Sequence, residues 1–98
     1  MRDLASLTAA DFEAVLGSDF EVADAGTGPV RLRLNEVVTL RGPMGRRPAF
    51  LVHFQGPSSP VLAPVVHHIV HGEMGELDLF LGPIVSPAEG TTYEAVFA

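Results

Sequence analysis

The sequence predicts a mainly β domain: a small antiparallel six-stranded barrel or sandwich with one short N-terminal α-helix. Three observations lead there. Apolar and polar residues alternate at period two, most plainly in Gly75 to Val85, where Leu77, Leu79 and Leu81 alternate with Glu76, Asp78 and Gly82. Gly-Pro recurs at 28–29, 42–43, 56–57 and 82–83, about the spacing that a strand and its turn require. Helical spacing occurs in one stretch only, near the N-terminus. The 98 residues, 47% of them apolar, make one domain over 1–98 with a core that needs no staples.

The elements follow in order. Thr8 to Leu16 reads as a helix, with Thr8 as N-cap, Asp11 completing a capping box and Gly17 as the stop. Leu7 and Phe12 form a hydrophobic staple, and Phe12, Val15 and Leu16 a buried stripe. So short a helix must lie on a sheet or plug a barrel end. Phe20 to Ala23 is a short strand, and Gly26 to Pro29 a turn. Val30 to Leu40 is a long strand with Val30, Leu32 and Leu34 inward and Arg31, Arg33 and Asn35 outward. Its alternation fails at Glu36-Val37-Val38. A bulge near Asn35 repairs the phase without burying a carboxylate. Arg41 to Pro48 is a loop. Ala49 to Gln55, Val65 to His71, Gly75 to Val85 and Thr91 to Phe97 complete the strands, with Gly82-Pro83 bending or ending the fifth. Phe80 breaks the polar side of that strand, so its second face is expected to be partly covered. Adjacency predicts that sequential strands pair.

Composition narrows the function. There is no cysteine, which excludes disulfides and thiolate metal sites. The net charge of −6 argues against nucleic-acid binding. No apolar run approaches a membrane span, and Met1 to Ser6 hold no apolar leader core, so cytoplasmic residence is expected, with release as part of an assembly compatible. All 6 basic residues are arginine, and all but Arg2 fall between Arg31 and Arg47. One reading is a GC-rich coding sequence. The other is a basic hairpin, Arg31, Arg33, Arg41, Arg46 and Arg47, that meets an acidic surface of a neighbouring chain. Glu73, Glu76 and Asp78, or Asp19, Glu21 and Asp24, would supply that surface.

Taken together, Phe50-Leu-Val-His-Phe-Gln-Gly-Pro57, His71 with Gly75-Glu-Leu-Asp-Leu-Phe-Leu-Gly-Pro83, and Tyr93-Glu-Ala-Val-Phe97 resemble a family of bacterial domains of unknown function of about this length. Leu7-Thr-Ala-Ala-Asp-Phe12 and Gly17-Ser-Asp-Phe20 fit it too. The resemblance implies a mostly β domain, associated with phage-tail-like proteins, and carries no catalytic motif. His67-His68-Ile69-Val70 stands where the family usually has a tyrosine and an arginine.

The candidate chemistry rests on His53, His67, His68 and His71. His67 and His68 point to opposite faces, while His67 and His71 share one, about 13 Å apart and too far to hold one ion. His53 could stand opposite His67, but two imidazoles need a third ligand, from Glu73 or Glu36. Surface or cross-strand histidines are the plainer reading, a pH-sensitive contact the next. Ser58 and Ser59 lack a nucleophile elbow, no glycine loop opens a helix, and Glu76 with Asp78 reads as a solvated strand face. No catalytic residue, metal or cofactor is therefore expected. The function expected is a non-enzymatic structural or interaction module that forms homo-oligomers, with no nucleic-acid or membrane partner. A small-ligand barrel with a pocket between Phe50, Val52, Leu79 and Phe97 is the alternative, although so small a barrel fills with its own side chains.

Overall fold

Six strands close into an antiparallel barrel in the order β1-β2-β3-β6-β5-β4. They are β1 (Asp19–Val22), β2 (Val30–Thr39), β3 (Phe50–Gly56), β4 (Val65–His71), β5 (Gly75–Val85) and β6 (Thr91–Phe97), preceded by α1 (Ala9–Glu13). The computed structural model describes residues 6–23, 26, 28–40, 49–85 and 90–97. Arg41, Arg46, Arg47 and Asp24 lie outside the described residues.

Alternation builds the core. Phe20, Val22, Leu32, Leu34, Val52, Phe54, Ile69, Leu77, Leu81 and Tyr93 are fully buried, each inward on its strand. In β2, Leu34 pairs with Phe54 and Glu36 with His53, so Asn35 is the extra residue of the expected bulge and Glu36 stays exposed. In β5, Gly82-Pro83 does not end the strand. It runs on to Val85, and the register shift falls between Pro83 and Val85.

Adjacency misleads at one place. β3 and β4 are sequential but do not pair. β6 lies between β3 and β5, and β4 pairs instead with β1, through Glu21↔Val70 and Val22↔Ile69. His53 therefore cannot stand opposite His67. The β3–β4 connection crosses one barrel end and inserts Leu62, whose N–H donates to the Tyr93 hydroxyl at 2.8 Å.

The helix closes the other end. Thr8 and Asp11 form the capping box. The Phe12 ring sits 5.2 Å from Phe97, 5.8 Å from Phe50 and 6.5 Å from Phe20, while Phe50 and Phe97 stack at 4.6 Å. The helix is shorter than its sequence pattern. After Glu13 the chain tightens, with Val15 N–H bonded to Phe12 O and Leu16 N–H to Glu13 O. That rotates Leu16 off the buried stripe, and it is 54% exposed. Gly17, at φ +85, then directs its N–H to Leu34 O and hands the chain to β1.

Phe12→Ala should lower unfolding free energy by about 3–5 kcal/mol in urea denaturation, because the ring has no other filler at that end. Leu16→Ala should change it by no more than about 0.5 kcal/mol. Gly56→Ala should also destabilise, by about 1–3 kcal/mol, since an added Cβ would lie 2.7 Å from Leu32 Cδ2 in the packed core.

Candidate functional site

Most of the chemistry-bearing groups lie outside the barrel wall, where alternation places every second residue of each strand. Register aligns them in rows across the strands. One row is apolar: Val38 pairs with Leu51 and Leu51 with Val96, and Val66 pairs with Phe80. The β5–β6 register reaches Gly82↔Glu94, and extended two residues further it would set Phe80 across from Val96 and join the two halves. Val66, Phe80 and Val96 are 58%, 57% and 59% exposed. Phe80 thus lies on the polar side of β5, as its parity predicts, and its side chain projects from the barrel.

Histidine–carboxylate bridges flank this row. His53 lies between two neighbouring strands, with Nδ1 3.0 Å from Glu36 Oε1 and Nε2 3.0 Å from Glu94 Oε2. His68 has Nδ1 2.9 Å from Asp78 Oδ1 and Nε2 2.8 Å from Glu76 Oε1. Partial burial disfavours charge on His53, but the hydrogen bonds to Glu94 and Glu36 outweigh it and its pKa is raised. The Asp78 and Glu76 hydrogen bonds raise that of His68. Each protonated ring donates through both nitrogens, one to each carboxylate. The carboxylates sit at opposite ends of the ring, so they cannot converge with it on one cation. Among the described residues, no group of three His, Cys, Asp or Glu is arranged to hold a metal ion.

The other two histidines face inward. The His71 ring packs at a tilt of 35° against Phe20, 4.3 Å between centroids, and its Nδ1 accepts from the backbone N–H of Glu73 at 3.0 Å and of Met74 at 3.1 Å. Nδ1 is thus the bare nitrogen, which assigns the ring proton to Nε2. Nε2–H donates to Ser18 Oγ at 2.8 Å, and that hydroxyl donates to Val15 O. This wiring runs opposite to nucleophile activation, where Nε2 must be free to take the hydroxyl proton. His71 instead joins the β4–β5 turn to the segment between α1 and β1. His67 is buried, with Nε2 2.8 Å from Ala63 O in the loop across the barrel end.

Arg31 and Arg33 project from the outer face of β2. A surface groove of about 640 Å³ runs beside them, lined also by Pro29, Gln55, Pro57 and Pro60. Arg31 borders two further grooves along β1. Asp19 and Glu21 lie directly across from Arg33 and Arg31 in the same chain, with Asp19 Oδ1 3.8 Å from Arg33 Nε. Asp19 thus approaches Arg33, while Glu21 stands across the ladder from Arg31 without an ion pair, a placement that sequence reasoning missed. Glu76 and Asp78 lie together on β5 as expected, but bound to His68. Sequence reasoning also missed Glu94 and Ser18, because both acquire partners only through strands distant in sequence. Outward parity at Val66, Phe80 and Val96 was the one available signal for the apolar row.

Residues 7–97 match a family described as a domain of unknown function, DUF6916. The chain belongs to that family. No curated protein and no solved structure matches it. Among the described residues, no helix is long and apolar enough to cross a membrane.

The bridges make stability depend on pH. The folded pKa values of His53 and His68 lie above the usual 6.5, so their contribution is complete below that value and is lost as pH rises through the raised values. In thermal unfolding, the parent should exceed a His53→Asn/His68→Asn variant most near about pH 6, and the gap should narrow by about pH 8. A gap that stays constant with pH would show that the bridges do not form.

Proposed function

We propose that this domain is a non-enzymatic interaction module that self-associates and serves as a building block of a larger assembly, for example a phage-tail-like particle, made and held in the cytoplasm. The observation that carries this reading is the apolar row on the barrel wall. Val66, Phe80 and Val96 place large apolar side chains side by side in solvent, and Leu51 and Val38 extend the row as half-buried neighbours. Scattered apolar residues are ordinary on a surface, whereas a contiguous row across strands marks an interaction face. The bridges of His53 and His68 border the row with hydrogen-bonded polar groups, an arrangement resembling the polar rim of an interface.

The interior supports this reading over a small-ligand barrel. Phe50, Val52, Leu79 and Phe97 are at most 7% exposed, and Phe12 lies against two of them. In a barrel of six strands, inward side chains of this size leave little room for a ligand.

Size-exclusion chromatography with light scattering, run from low to high micromolar protein, should show a mass that rises with concentration. Val66→Ser combined with Phe80→Ser should lower that mass toward the monomer and leave the melting temperature nearly unchanged, because both positions are exposed. A parent that stays monomeric throughout would overturn the reading.

A further inference from the structure

The strand order decides how copies of this chain can join. Around the closed wall β2 and β5 are three strands apart in either direction, through β3 and β6 or through β1 and β4. They therefore lie on opposite sides of the barrel. Three outward residues of β5, Glu76, Asp78 and Phe80, recur at every second position. On the opposite wall, Arg33, Arg31 and Pro29 recur at the same interval in β2 and just before it. Both triplets have a repeat of about 6–7 Å. Two of the three match by charge, and the third sets a protruding phenyl ring against a proline-lined groove of about 640 Å³.

The groups are free to engage. Glu76 and Asp78 each present one carboxylate oxygen, Oε1 and Oδ1, to His68, which leaves the second oxygen of each available. Arg31 makes no ion pair among the described residues, and Arg33, its side chain 66% exposed, approaches Asp19 at 3.8 Å, beyond hydrogen-bond distance. Asp19 and Glu21 lie on the same side of the barrel as the arginines, so the acidic residues of the opposite wall are Glu76 and Asp78.

We propose that the β5 face of one copy docks on the β2 face of a second copy, with Glu76 on Arg33, Asp78 on Arg31 and Phe80 in the groove beside Pro29. This rests on the self-association proposed above and specifies its geometry. The two surfaces differ and lie on opposite sides, so each docked copy leaves one free face of each kind. Such heterologous contacts continue until they close a ring or extend as a filament, whereas a two-fold contact stops at the dimer.

Two variants, each blocking one face, test this. Arg31→Glu/Arg33→Glu reverses the β2 face and keeps β5. Phe80→Arg sets a cation against Arg31 and keeps β2, without touching the His68 bridge. Melting curves confirm folding, and Arg31→Ser/Arg33→Ser with Phe80→Ser replace any variant that fails to fold. Light scattering should find the parent growing beyond a dimer, with growth weakened by salt. Each variant alone should associate about tenfold or more weakly. Mixed in equal amounts, they should form a one-to-one dimer that grows no further, since only one pair of intact faces remains. A parent that associates but stops at a dimer, or a mixture that stays monomeric, would overturn the face pairing and leave self-association standing. A parent monomeric at every concentration would overturn both.

Discussion

The barrel closes along the seam between β1 and β4, where the shortest strand of the sheet is paired at two positions, Glu21↔Val70 and Val22↔Ile69. The rest of the structure depends on this join, because an open six-stranded sheet would expose two edges and half of its apolar face. Contacts outside the ladder reinforce it. Ala23 N–H donates to His68 O beyond one end of β1. At the other end His71, the last residue of β4, packs at a tilt against Phe20 and hydrogen-bonds Ser18. A histidine that looks like a catalytic candidate thus contributes to closure, and its two backbone donors hold it in the tautomer that does so.

Closure also creates two open ends, and each is sealed by a segment outside the sheet. At one end Phe12 completes an aromatic cluster with Phe20, Phe50 and Phe97. At the other, Leu62 enters the core beneath a loop held by Tyr93 and His67. Apolar side chains line the interior, and His53, His68, Arg31 and Arg33 with the carboxylates beside them lie on the outer wall. There the apolar residues run in a row across several strands, Glu76 and Asp78 lie on β5, and Arg31 and Arg33 lie on β2, which gives the molecule distinct sides.

Much of this was legible in the sequence. The period-two alternation marked the strands, the Thr8–Asp11 box marked the helix start, and the phase break at Glu36 marked the bulge, because each depends only on near neighbours and the burial of apolar side chains. Leu16 was misread because a one-dimensional helical pattern assigns it to the buried stripe, while the tightened turn after Glu13 carries it outward.

Which residues meet was decided by tertiary structure alone. The sequence determined a mainly β chain with a capped helix, an apolar interior and a cluster of arginines. Only closure, with β4 returning to β1 and β6 inserted beside β3, placed His53 between Glu36 and Glu94 and set β2 opposite β5. Local periodicity specifies the face of a strand to which a side chain belongs, but strand order and register specify its neighbours. Those depend on how the whole sheet minimises its exposed edges, a condition that no single segment encodes.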